Sequence, residues 1–165
     1  MSYMHYWSRP PELEGIAYRS FVDDVQQIIS MVKPRFGIFG GIKVVGPMGV
    51  GPPVLTDDHV QFNGSPMGET FWIPRRFEDK APDRVPDDGE WHSDFVNTNE
   101  LPYDVVVTAT LTSFRCRFPD SAEISSDGGQ EDWQAGLELY GRVSNRDTDE
   151  LWNFIRQPAR ASYSS

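Results

Sequence analysis

Tyr18, Phe21, Val22, Val25, Ile28, Ile29 and Val32 recur at steps of 3, 1, 3, 3, 1 and 3, with Asp23, Asp24, Gln26 and Gln27 between them. An apolar stripe at that period predicts an amphipathic helix with those four polar residues on its outer face. Lys33 precedes Pro34, and proline drives the residue before it out of the helical region, so the helix stops there. From Arg35 to Pro53 the pattern breaks up. Phe36, Ile38 and Phe39 predict a short strand and Ile42 to Val45 a second extended piece, set among glycines and prolines that make turns.

His59, Gln61 and Asn63 alternate with Val60 and Phe62, and Glu69 to Ile73 follows as another apolar run. A hairpin looped through Asn63 to Gly68 is the simplest reading. Arg75 to Asp94 is polar, charged and broken by Pro82 and Pro86, which predicts a surface loop tied back by Trp91 and Phe95. Leu101 to Phe118 predicts a long helix, with Pro102 in its first turn and Asp104 near the positive end of its dipole. Val107, Leu111, Phe114 and Phe118 carry its stripe, although its β-branched run also suits a strand. Ala122 and Ile124 mark a short strand before Ser125–Gly129. A helix over Gln130 to Val143 carries Trp133, Leu137 and Tyr140 on one side. Asp147 and Glu150 have capping-box spacing ahead of Leu151, Phe154 and Ile155, a last short helix that Pro158 ends. These elements predict an α+β (or α/β) domain over 1–158, a small central sheet of about four strands covered by two or three helices. Residues 159–165 read as a flexible tail.

Composition narrows the class. Of 165 residues, 38% are hydrophobic and 13% aromatic, enough to fill a core and to exclude wholesale disorder. Twenty-five acidic against 15 basic residues leave a formal charge of −10. Such a chain repels phosphate backbones and anionic lipid, which argues against nucleic acid and membrane as partners. One cysteine, Cys116, forbids an intramolecular disulfide and fits a reducing compartment. With a polar first ten residues and no apolar run of membrane length, a cytoplasmic protein is the expectation.

Few motifs carry chemistry. Gly49-Val50-Gly51 runs into Pro52 and Pro53 instead of a helix, and Pro47 stands where a phosphate-loop lysine would be needed, so no nucleotide cradle is expected. His5, His59 and His92 lack the paired spacing of zinc sites, and Asp57-Asp58-His59 reads as a solvated turn, so neither metal nor cofactor is expected. Cys116, between Arg115 and Arg117, sits towards the apolar side of its helix as a structural thiol. There remain polar groups at element ends, where pockets of sheet-and-helix folds open. His5 with Asp104 and Asp127 forms a candidate proton-transfer set, Asn63 a hydrogen-bond donor, and Tyr6, Trp7 and Tyr103 candidate ligand-binding walls. Turn and helix-start chemistry competes for the same residues: Asn63 and Asp127 precede glycine, Asp104 suits a first turn, and His5 with Trp7 can staple the N-terminus to the core.

Two functions follow. One is a small-molecule pocket protein, a cofactor-independent acid–base enzyme of isomerase, cyclase or lyase type. The other is an acidic, immunity-type inhibitor of a basic partner protein, since Asp120, Glu123, Asp127, Glu131, Asp132 and Glu138 occupy a stretch without Lys or Arg and the Glu78–Asp94 loop adds to them. Self-association as a homo-oligomer is a third use of an exposed face.

Several short segments lie in an order that resembles a family of small proteins without an assigned activity. They are Tyr3 with His5-Tyr6-Trp7; Phe62-Asn63-Gly64; Pro102-Tyr103-Asp104; Ser125-Ser126-Asp127-Gly128; and Asp132-Trp133. The chain departs from that pattern at Phe95-Val96-Asn97-Thr98, where the family has Phe-Cys-Lys-Thr. The resemblance implies a shared architecture and a candidate residue set, not a reaction.

Overall fold

Helix α1 (Gly15–Val32) begins where the Glu14 carboxylate accepts the N–H groups of Ile16 at 2.8 Å and Ala17 at 2.7 Å. Those two bonds hold the Glu14 carboxyl below the usual carboxylate range. In the computed structural model, which describes residues 2–83 and 90–159, the stripe from Tyr18 to Val32 is buried as the spacing predicts. One member of its supposed outer face is not outside. Asp24 is buried, because it lies three residues after Phe21 and four before Ile28, on the stripe itself.

The α-helices and strands among the described residues are, in chain order, β1 (Met4–Arg9), α1, β2 (Val54–Leu55), β3 (His59–Phe62), β4 (Phe71–Pro74), β5 (His92–Asn97), α2 (Asp104–Arg117), β6 (Glu123–Ser126), α3 (Gln130–Ser144) and α4 (Thr148–Ile155). The class is α+β. The strands divide into two three-stranded antiparallel sheets, β5-β1-β6 and β2-β3-β4, rather than one sheet of about four. The strands that the sequence reading did not anticipate are β1, β5 and the two-residue β2. Neither β1 nor β5 reads as a strand by residue type, because β1 buries His5, Trp7 and Arg9 while Tyr6 is partly exposed. β5 occupies the end of the stretch read as a surface loop; the charged residues at 84–89 of that loop lie outside the described part. The strand expected at Phe36–Phe39 is absent. Phe36 and Ile38 are exposed in a run of bends and turns, and of the Ile42–Val45 piece only Val45 pairs, in a single bridge to Asn63.

Arg9 ties the two sheets together. Its buried guanidinium donates to the carbonyl oxygens of Pro74 and, at 2.7 Å, Arg75 at the end of β4. Burial lowers its pKa to about 10, with Tyr18 and Asp94 acting in the opposite direction. α2 runs through the middle of the helical layer, buried from Val106 to Arg115. α3 approaches it closely at Gly136, where a Cβ would sit 1.9 Å from Thr108 Oγ1. One apolar cluster takes residues from both sheets and all four helices. Asp147 caps α4 by accepting the Glu150 N–H at 3.1 Å. Of the expected tail only Ala159 is described. It is buried and donates its N–H to Glu123 Oε1 at 2.9 Å. No described helix is long and apolar enough to cross a membrane.

Candidate functional site

The register of the first sheet sets the site. β1 and β6 pair His5 opposite Ser126, and directly opposed residues of an antiparallel pair project from the same face. That face meets the start of α2, where Asp104 occupies the first turn. His5 is fully buried and bridges the two: Nε2 lies 2.7 Å from Asp104 Oδ1, and Nδ1 lies 2.7 Å from Ser126 Oγ.

Proton positions follow from the partners. A carboxylate only accepts, so Nε2–H donates to Asp104, and the Nδ1 of a neutral ring is left to accept the Ser126 hydroxyl proton. The Ser126 oxygen in turn accepts the Gly128 N–H at 3.0 Å. Asp104 Oδ1 also receives the Thr98 hydroxyl at 2.6 Å, and its place at the positive end of α2 favours negative charge. Tyr3 and Trp133 contact the imidazole edge to face, with centroids at 5.0 and 5.3 Å, so the ring is held in one orientation. The Tyr3 phenol, leaning over Gly128, is pushed up to about 12 by burial and by the neighbouring charges of Asp104 and Asp132. It stays a neutral wall.

Ser126 opens the network to a cleft of about 610 Å³ between β6, the start of α3 and α4. Gly128, Gln130, Trp133, Trp152 and Arg156 form its other principal walls. Trp133 and Trp152 stand 6.0 Å apart by ring centroid, and the Arg156 guanidinium lies 5.3 Å from the Trp152 ring. The buried Trp133 indole N–H has no hydrogen-bond partner among the described residues. A buried donor without an acceptor is costly, and supplying an acceptor is what a ligand can do there.

Of the proposed proton-transfer set, only His5 and Asp104 meet. Asp127 is exposed and accepts the Met4 N–H at 2.9 Å, clasping the turn to the start of β1. Asn63 is buried within its own loop, donating to Gly68 O at 2.9 Å and accepting from Gly64 N at 2.7 Å. Tyr103 covers that loop: its hydroxyl donates to Glu69 O at 2.7 Å, and its ring lies where a Cβ on Gly64 would stand. Asn63 and Tyr103 therefore build a hairpin clamp. Trp7 is core, 5.2 Å from Phe71 by ring centroid. Tyr6 faces the opposite side of the sheet from His5, as alternation along β1 requires, and lines a separate hollow of about 390 Å³.

Ser126, Trp133, Trp152, Arg156 and Thr98 are the members that sequence reasoning passed over. Ser126 lay inside the Ser-Ser-Asp-Gly segment, but attention to carboxylates favoured its neighbour Asp127. Thr98 lies in the segment that departs from the family pattern, and Asn97 beside it accepts the Tyr3 N–H at 3.0 Å. Cys116 is partly buried and receives Arg146 Nη1 at 3.3 Å; burial pushes its thiol up, which suits a structural role. Among the described residues, no three His, Cys, Asp or Glu side chains gather as a metal-ligand set. The chain matches no protein-family model, no curated protein and no solved structure.

Proposed function

We propose that the protein binds a small molecule in the cleft between β6, α3 and α4 and moves protons there without a cofactor. The observation that carries this reading is the hydrogen-bonded series Asp104–His5–Ser126, buried at one end and open to the cleft at the other. Such a series moves a proton with little rearrangement: Nδ1 takes the Ser126 proton while Asp104 stabilises the imidazolium that forms. The two tryptophans supply flat apolar walls, and the Trp133 N–H orients an acceptor on the ligand. Isomerase, cyclase and lyase chemistry are the reaction classes proposed.

The test is a fragment screen read on the indole N–H signals of the protein, which has five tryptophans. Hits are expected to shift Trp133 and Trp152 together, to leave Trp7 and Trp72 unmoved, and to weaken in Trp152→Ala. A screen whose shifts never gather on those two indoles overturns the reading. The inhibitor alternative draws on a different surface. Glu131 and Glu138 are exposed and form no ion pair among the described residues, which suits salt-sensitive association with a basic protein.

A further inference from the structure

Resting on that reading of the cleft but assigning hydrolysis in place of isomerase, cyclase or lyase chemistry, we propose that Ser126 is a nucleophile and that the substrate class is a carboxylic ester. Three observations converge on this serine. Its hydroxyl proton points to a ring nitrogen, because Asp104 takes up the other nitrogen's hydrogen. Ser126 lines a cleft large enough for a small ligand. The same cleft is lined by Trp133, whose buried indole N–H has no partner among the described residues, and by the start of α3, whose first N–H groups have no acceptor within the helix. A serine placed only for structure needs none of the last two.

The chemistry balances with the ester and solvent water alone. Ser126 Oγ attacks the carbonyl carbon as its proton passes to His5 Nδ1, and a tetrahedral oxyanion forms. The Trp133 N–H and the α3 first turn are the donors along that cleft that can face this oxyanion. When the intermediate collapses, the C–O bond to the leaving group breaks, the Nδ1 proton goes to the departing oxygen, and an alcohol is released. Water then attacks the acyl-serine, giving one proton to Nδ1. The C–Oγ bond breaks, that proton returns to Oγ, and a carboxylic acid leaves. Asp104 acts through His5, holding its tautomer and stabilising its charged form, and is a positioning residue.

The experiment uses diisopropyl fluorophosphate, read by intact mass and peptide mapping. Oγ–P bond formation with loss of fluoride, the proton going to His5, is expected to leave a single phosphoryl adduct on Ser126. Ser126→Ala abolishes it. Asp104→Asn slows it by about 100-fold, the lower range for a lost acid–base group, and Asp104→Glu, which keeps a carboxylate, recovers part of that rate. Circular dichroism of each variant confirms that it is folded. No adduct at Ser126, or an adduct formed at the same rate in Asp104→Asn, overturns the proposal. The fragment screen, run on the same protein, separates the two readings. If the Trp133 and Trp152 signals still respond, the nucleophile alone falls; if they are silent, the cleft falls with it.

Discussion

Two carboxylates meet at helix α2, the buried Asp24 from α1 and the partly buried Asp104 in its own first turn, and their surroundings differ. Asp24, from α1, accepts from Ser113 Oγ at 2.8 Å, Tyr140 Oη at 3.0 Å, and Arg117 Nε and Nη2 at 2.9 Å each. Asp104 accepts from Thr98 and His5, and the series goes on through His5 to Ser126. Both networks hang on the same two helices, Ser113 and Asp104 on α2, Tyr140 and Trp133 on α3. The Asp24 network closes on itself: every oxygen is satisfied and no cavity touches it among the pockets described. The Asp104 network ends on a hydroxyl at a cleft wall. Asp24 is the more buried and pairs with Arg117, whereas Asp104 is partly exposed and pairs with His5, yet neither burial nor pairing by itself distinguishes a structural pin from a reactive group. The accessible last member does.

The largest expected effect lies in the closed network. Asp24→Ala leaves Ser113 and Tyr140 buried without an acceptor, so it should cost about 2–4 kcal/mol, the partly exposed Arg117 adding little because water takes the place of its partner. Equilibrium urea unfolding measures this. Fragment binding, read at the Trp133 indole under conditions where the variant remains folded, should be unaffected. A loss below about 1 kcal/mol would mean the pin is ornamental and the contrast between the two networks is misdrawn.

Next comes the contact that both networks share. Gly136 lies between Trp133 and Tyr140 on α3, where it meets Thr108 and the Ala109 backbone. Gly136→Val forces α3 away from α2, at about 2 kcal/mol, the range for overpacking a close helix contact. Unlike the Asp24 change, it should also perturb the cleft, because Trp133 moves with the helix. The pairing of lower stability with altered Trp133 signals is the result that distinguishes it.

What was legible in the chain follows the same division. All four helices were readable because their apolar stripes exceed their polar interruptions, even in α2, where four buried Ser and Thr residues dilute the pattern. β1 and β5 were not, because alternation there runs against residue type. His5, Arg9 and His92 go inside, whereas Phe95 is exposed. Asp24 was misread for the same reason, its charge outweighing its position on the stripe. His5 and Asp104 were found as a pair because each is a chemically capable residue at an element end. Ser126 was missed because only the β1–β6 register brings it opposite His5, and register is a long-range property that no local spacing encodes.

Alkaline pH offers a smaller effect that touches both networks. Burial raises the Tyr3 and Tyr140 phenols above their ordinary value of 10.0, Tyr3 to about 12 and Tyr140 further, with Asp104 and Asp24 respectively adding to the shift. The unfolded chain therefore ionises first and binds fewer protons than the folded one, so stability must fall as pH rises above about 10. Tyr140→Phe should flatten that decline more than Tyr3→Phe. The measurement is the slope of unfolding free energy against pH, not its starting value, since Tyr140→Phe also removes a hydrogen bond to Asp24. An unchanged slope in both variants would show that neither phenol is held protonated by its surroundings.

The smallest stability effect should be at Ser126, and it is the most decisive. Ser126→Ala removes one hydroxyl from a network whose open end faces the cleft, so the neighbouring His5 Nδ1 and Gly128 N–H regain partners from solvent. The expected cost is within about 1 kcal/mol, the net worth of one replaceable hydrogen bond. Closed networks respond otherwise: removing a member strands the rest. If urea unfolding gave Ser126→Ala a loss comparable to Asp24→Ala, the Asp104–His5–Ser126 series would be a second pin, buried in function as well as in place. A near-silent change in stability, accompanied by complete loss of the phosphoryl adduct, is the combination that a purely structural serine does not produce.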